Sequence, residues 1–401
     1  MSLSAAQLRR FRSAGLSAAR WFVHSQCRMK KPYWDANHGR FMYNRYLPDG
    51  RTVLGLNWTQ GRGIFVLLAA WELSRREEFL QSALVAGEYI KILQIHDCPD
   101  NSRRQFAIRE QIPQSTWSAP RDAAEAALGL LHLYRATGRD DYLRRAVNFE
   151  KWFRANAWGP GGWPASSVSL VSKQRNTRVG AFQAGDARLF YYLHKATGRR
   201  RHLADLVRIA DQVLRRFLRP DGAIAERRVH VHHTGPGGEV LNDDGLMVGL
   251  LCAHEATGEP RYLDACLRHA RWITETIAAP PKMLSALPCM CTFLIELSAV
   301  TGEPGYRDWA ADMLARHVLP LQVRDRRDRL ADGAFRGEDE AVRHYGPRRA
   351  RPTDFITTRV TCYAALACLK LAGIVGPYYG ALGWERRVPP ARAVVEEPGG
   401  G

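Results

Sequence analysis

Acid is the scarce charge in this chain. Only 40 Asp and Glu stand against 58 Lys and Arg, a net +18 spread along the whole length with no single basic arm. A distributed positive field suits an anionic ligand, although an arginine-rich composition alone would produce the same excess. No recognisable nucleic-acid-binding motif accompanies the charge, so nucleic acid is not expected as a partner. Apolar runs are short as well: no stretch of 18 apolar residues exists, and no membrane span is expected. The amino-terminal segment LRRFRSAGLSAARWFVHSQ carries arginines throughout and lacks the uninterrupted apolar core of a signal peptide. None of the eight cysteines falls in a CxxC pair, and Cys289 and Cys291, one residue apart, lack the usual zinc spacing. They read as buried thiols of a reducing compartment, and the expectation is a cytoplasmic protein with no metal and no cofactor. A Gly-rich phosphate loop, a nucleophile elbow and an HExxH helix are all missing.

What the chain does contain is a repeat. The segments LHLYRATGRDDYLRRAV, YYLHKATGRRRHLADLV and CAHEATGEPRYLDACL each join an apolar helix to an amphipathic one through a Thr-Gly break. Thr137, Thr197 and Thr257 recur at intervals of 60 residues; a fourth copy places Thr301 after 44 more, and a degenerate copy has Ser74 in the threonine position. A fixed period of this kind marks a repeated supersecondary unit. Glycine ends the first helix of each pair by accepting the left-handed conformation. Inner helices are predicted over 61–73, 122–136, 186–196, 244–256, 289–300 and 359–373. The last has no partner downstream, and the amino-terminal helix at about 4–26 has none upstream. Pairing those two closes a ring of twelve helices, an all-α (α/α)6 toroid over residues 1–388 followed by a flexible Pro- and Gly-rich tail at 389–401.

The inner helices are apolar nearly all round, whereas the outer ones carry arginine on one face, as two concentric layers require. Connections are unequal: inner-to-outer turns take about four residues, whereas the segments 95–120, 158–184, 219–243 and 319–355 run to 25 or more. Long loops in a compact domain are usually functional. All of them lead to inner-helix amino termini, so they are expected to wall one mouth, where helix dipoles favour an anion.

The hairpins with their TGxxxYL joints resemble the six-hairpin glycosidase-like superfamily over essentially the whole chain. That superfamily includes unsaturated glucuronyl hydrolases, other glycoside hydrolases, uronate-acting lyases and N-acylglucosamine 2-epimerases, and the resemblance implies carbohydrate binding at the inner-helix amino termini. The run 33–73 looks like the opening of the 2-epimerases, with Trp58 and Arg62 at a helix start, but no histidine stands at the amino terminus of any inner helix. The run REQIPQSTWSAPRDAAEAALGLLHLY at 109–134 looks more like the uronyl hydrolases, in which an Asp opening an inner helix is the acid.

Each long loop delivers an acid to an inner-helix start: Asp122, Asp186, Asp243 with Asp244, and Asp354. Such a ring can supply the protonated and ionised carboxyls that glycosyl chemistry needs, or each Asp can simply cap its helix. Asp122, with Glu125 on the same face, and Asp244, beside Asp243, are the leading acid/base candidates. Arg62, Arg109, Arg121, Arg188 and Arg359 either clasp a substrate carboxylate or pair with neighbouring acids. Trp34, Trp58, Trp117, Trp158, Trp163 and Tyr345 are candidate stacking surfaces or core anchors. His232, in the segment VHVHH at 229–233, is either an acid/base group or one face of a small hairpin. The reading that results is a glycoside hydrolase for a short, acidic, uronate-containing oligosaccharide. A sugar epimerase and a sugar-binding toroid without catalysis are the alternatives.

Overall fold

The computed structural model describes residues 3–29, 36–96, 98, 103–172, 174–226, 239, 241, 243–281, 283–374 and 384, with backbone alone at 243, 244, 339 and 340. The chain runs through α1 (Ala5–Ser25), β1 (Met42–Tyr46), β2 (Thr52–Leu54), α2 (Asn57–Ser74) and α3 (Glu77–Leu93). It continues through β3 (Trp117–Ser118), α4 (Pro120–Thr137), α5 (Asp140–Asn156), β4 (Ser167–Ser169), β5 (Arg175–Asn176), α6 (Asp186–Thr197) and α7 (Arg200–Arg216). The last part holds α8 (Asp243–Thr257), α9 (Pro260–Thr276), α10 (Ala286–Thr301), α11 (Pro304–Met313), α12 (Asp339–Tyr345), β6 (Phe355–Thr357) and α13 (Thr358–Leu371). A π-helical turn, Leu314–Val318, prolongs α11. Each expected inner helix is present within a few residues of its sequence bounds.

The repeated joint owes its shape to three groups. At the end of α4, the Thr137 hydroxyl donates to the Leu133 carbonyl at 2.7 Å and accepts from the Arg139 amide at 3.3 Å. Gly138 takes φ 72° and donates its amide to the Tyr134 carbonyl. The same bonds recur at Thr197, Thr257 and Thr301. Ser74 reproduces them with Ala70 and Arg76, and there Arg75 supplies the left-handed residue at φ 57°. The side chain ties off a carbonyl and an amide that the helix end leaves open.

α2, α4, α6, α8, α10 and α13 each pack on the next, and α13 returns to α2, which closes the inner ring. α3, α5, α7, α9 and α11 back the first five, and α1 backs α13, as the unpaired terminal helices require. Along α2 every residue from Asn57 to Trp71 is buried, whereas α7 buries one stripe and turns arginines outward. The long connections contain more order than loops. Antiparallel sheet β3-β4-β5 forms from two of them, sheet β2-β1-β6 joins the segment between α1 and α2 to the strand before α13, and β2, β3 and β6 feed directly into α2, α4 and α13. All eight cysteines are unpaired thiols, seven of them buried. Among the described residues no helix is long and apolar enough to cross a membrane. The tail 389–401 lies outside the described residues.

Candidate active site

Asp122 stands in the first turn of α4, and helix capping does not account for it. The capping position is Ala119, no side chain caps the helix, and Pro120 occupies the first turn. Asp122 instead accepts a hydrogen bond from the carboxyl of Glu110. Glu110 is 1% exposed and is pinned from two inner-helix starts: its Oε2 accepts from the Ala119 amide at 2.9 Å and from Asn57 Nδ2 at 3.5 Å. Burial, then the negative charge of Asp122, pushes the Glu110 carboxyl well above the usual carboxylate range. Asp122 is also raised, by burial first, but the guanidiniums of Arg121 and Arg359 and the bond from Glu110 draw it back. Of the two carboxyls Glu110 is the one more strongly disposed to hold a proton, and the Asp122 side chain remains 17% exposed.

Behind this pair lies a buried cationic cluster. Glu125, one turn along α4, accepts hydrogen bonds from Arg62 Nη2 at 3.1 Å and from Arg188, and forms an ion pair with Arg121 Nη2 at 3.2 Å. Three guanidiniums converge on one carboxylate, and Arg121 also reaches Asp122 with Nη1 at 3.6 Å. Aromatic rings flank the cations: Arg62 lies over Tyr363 at 4.3 Å, Arg121 over Phe182 at 4.4 Å, and Arg359 over Trp58 at 5.8 Å. Asp186, at the start of α6, is fully buried, and among the described residues neither carboxyl oxygen has a hydrogen-bond partner. Burial lifts its carboxyl well above the usual range, with Arg121 pulling it down and Glu125 and Asp122 pushing it up. The starts of α2, α4, α6 and α13 thus converge on a site with more positive than negative charge.

Other expected site residues fall elsewhere. Arg109 has Arg104 as its charged neighbour, with Cys98 beside it, whereas the adjacent Glu110 faces Asp122. Asp354 is a correction. It does not open α13, whose cap is the Thr357 hydroxyl accepting from the Val360 amide; Asp354 instead accepts from the Arg351 amide in its own 3-10 turn. Arg62 and Arg121 are turned to the internal Glu125 and not left open for an incoming carboxylate, although Arg121 also lines a mouth cavity. Trp58 is 5% exposed, Trp117 is 45% exposed, and Trp163 is core. Trp158 stacks on Phe190, and Tyr345 is exposed with its ring edge on Tyr43. Trp34, His232 and the rest of 229–233 lie outside the described residues, as do the side chains of Asp243 and Asp244.

Glu110 is the functional candidate that sequence reasoning passed over. Its signal was present, since it neighbours Arg109 in the quoted run, but nothing in the residue pattern says which of two adjacent residues a short irregular segment turns inward.

No protein-family model matches the chain, and no curated protein matches it in sequence. Solved structures do. A cellobiose 2-epimerase from Bacillus thermoamylovorans superposes with a TM-score of 0.69 at 10% identity, covering 92% of this chain and 99% of that one. A glycoside hydrolase family 76 mannosidase from Bacteroides thetaiotaomicron gives 0.64 at 13% identity, over 90% and 98%. An unsaturated glucuronyl hydrolase specific for heparin gives 0.63 at 14%, over 91% and 97%. The chain carries the six-hairpin (α/α)6 toroid fold that these sugar epimerases and glycoside hydrolases share.

Proposed function

We propose that this protein is a glycoside hydrolase acting on a short acidic oligosaccharide, with Asp122 as the acid/base group at the substrate. The observation that carries the reading is the Glu110–Asp122 carboxyl pair, in which Glu110 is buried with its carboxyl pushed well above the usual range and Asp122 keeps part of its side chain exposed. The Asp122 carboxyl, supplied with a proton by Glu110, protonates the glycosidic oxygen as its bond to the anomeric carbon breaks. Water adds its hydroxide to that carbon, and its remaining proton returns to the pair. Asp244, at the start of α8, supplies the second carboxylate.

Glu110 is a positioning residue in this scheme, because it acts through Asp122. Arg62 and Arg188 fix Glu125, and Glu125 in turn orients Arg121. The surplus of guanidinium over carboxylate favours a sugar bearing its own carboxylate, met by Arg359. The heparin-specific glucuronyl hydrolase of the same fold supports a uronate substrate. Absence of a histidine at any inner-helix start weighs against an epimerase that moves protons with imidazole pairs.

Asp122→Asn tests the assignment. Asparagine accepts the bond from Glu110 as aspartate does, so the melting temperature should hold within a few degrees. Turnover of unsaturated and saturated uronyl disaccharides should fall about a hundredfold or more. An Asp122→Asn protein retaining most of its activity moves the acid to another carboxyl, with Asp244→Asn as the parallel variant. A product that is an epimer of the substrate with no sugar released rejects the hydrolase.

A further inference from the structure

The rim sheet β3-β4-β5 carries features that the carboxyl site does not use. Trp117, in β3, is 45% exposed, the most exposed large aromatic side chain among the described residues. Its carbonyl accepts from the Glu110 amide at 3.2 Å, so the strand that presents the indole is bonded to the residue that supports Asp122. Trp117 stands five positions before Asp122, which holds them within about 18 Å even if that stretch is fully extended.

Cavities line up along this sheet. One of about 130 Å³ is bordered by Arg121, Arg178, Asn176 and Glu226, whose carboxylate is engaged by the Ala181 amide. Asn176 also borders the next, of about 400 Å³, together with Trp117, Ser167 and Gln174. That one shares Ser169, Gln174 and Arg175 with a third, of about 500 Å³, which ends at Arg103. Shared lining residues link the three cavities in a row along the sheet, from Arg121 past the open indole to an end bordered by Arg175, Arg103, Asn156 and Gln174. Arg175 is held in place there by its Nη1, which donates to the carbonyls of Asn156 and Trp158. An apolar face flanked by hydroxyls, amides and guanidiniums is the chemistry that binds a sugar ring and the anionic group on the ring beyond it.

We infer that the rim sheet is an extended subsite for an anionic oligosaccharide of three or more sugars, with one ring stacked on Trp117 and a further carboxylate or sulfate at Arg175 and Arg103. This rests on the proposed function for what happens at Asp122, but the groove binds whether or not Asp122 is the acid.

Calorimetric titration with oligogalacturonate dimer and hexamer, a heparin-derived hexasaccharide and neutral cellohexaose separates the possibilities. The hexamers of either anion should bind at least tenfold tighter than the dimer, and cellohexaose should not gain with length. Trp117→Ala and Arg103→Gln, checked by an unchanged melting temperature, should each weaken the anionic hexamer tenfold or more and leave the dimer within twofold. Preference for the galacturonate hexamer assigns the terminal group as carboxylate, and preference for the heparin fragment as sulfate. Equal affinity for dimer and hexamer, or equal losses for both in the two variants, overturns the subsite. If Asp122→Asn keeps its turnover while Trp117→Ala loses hexamer binding, the acid assignment fails and the groove stands.

Discussion

A carboxyl held neutral by its surroundings leaves a signature in stability. Glu110 and Asp186 are both raised well above the carboxylate range, chiefly by burial. In the unfolded chain each ionises near its ordinary pKa of about 4. Above that pH the unfolded state has released protons the native state still holds, so folding stability declines as pH rises, until the folded pKa is passed. Glu110→Gln keeps the shape and the hydrogen bonds: the new amide donates to Asp122, and its oxygen accepts from Ala119 and Asn57. The variant should therefore lose little at roughly pH 5 and gain melting temperature over the parent at roughly pH 8. Steeper loss of the variant at the higher pH would mean Glu110 is ionised in the fold. This is also where the sequence stopped being legible. Asp122, Asp186, Arg62, Arg121 and Arg359 could be picked out because a helix start advertises itself through periodicity. Glu110 lies in an irregular segment whose inward residue is chosen by bonds to Asn57 and Ala119, from two other parts of the chain.

At the scale of the element, the helices were legible because two signals agreed, apolar periodicity and a Thr-Gly joint recurring at 60 residues. The short strands were not. β3 and β5 are two residues long, and pairing that brief is decided by where the ring places their ends. What periodicity could not reveal is how closely α2 and α4 approach. Gly61 faces Glu125 so tightly that a Cβ there would lie 2.0 Å from the Glu125 carbonyl oxygen, and Gly129 faces the Cα of Gly61 from the other helix. Backbone cannot step aside as a side chain can, so Gly61→Ala should cost roughly 3 kcal/mol or more and separate Arg62 from Glu125. Gly138→Ala provides the contrast. Nothing lies within 4 Å of its Cβ, and only the left-handed φ of 72° resists, at about 1–2 kcal/mol. Urea unfolding of both variants measures the difference, and equal costs would mean the α2–α4 contact is looser than described.

The whole molecule differs from an open helical array in having no end repeat. In a linear stack the terminal units contact one neighbour only and open first. Here α1 and α13, from opposite ends of the chain, pack on each other, and α13 also packs on α2 and α10. The seam is tight: a Cβ on Gly15 of α1 would sit 2.7 Å from Leu369 Cγ of α13. Gln322, from the connection between α11 and α12, adds a bond from its amide to the Ala14 carbonyl at 2.9 Å. Losing the seam exposes the apolar flank of α2 together with that of α13, so opening there should propagate around the ring. The expectation is that the slowest-exchanging amides of α1 and α13 open with the same free energy as those of α4, by global unfolding. Gly15→Val, which forces Leu369 aside, should lower protection in α4 and α8 as much as in α13. Amide exchange resolved by residue checks this. Protection that falls in α1 and α13 alone would describe a stack with frayed ends, and would mean the mouth formed by α2, α4, α6 and α13 does not depend on ring closure.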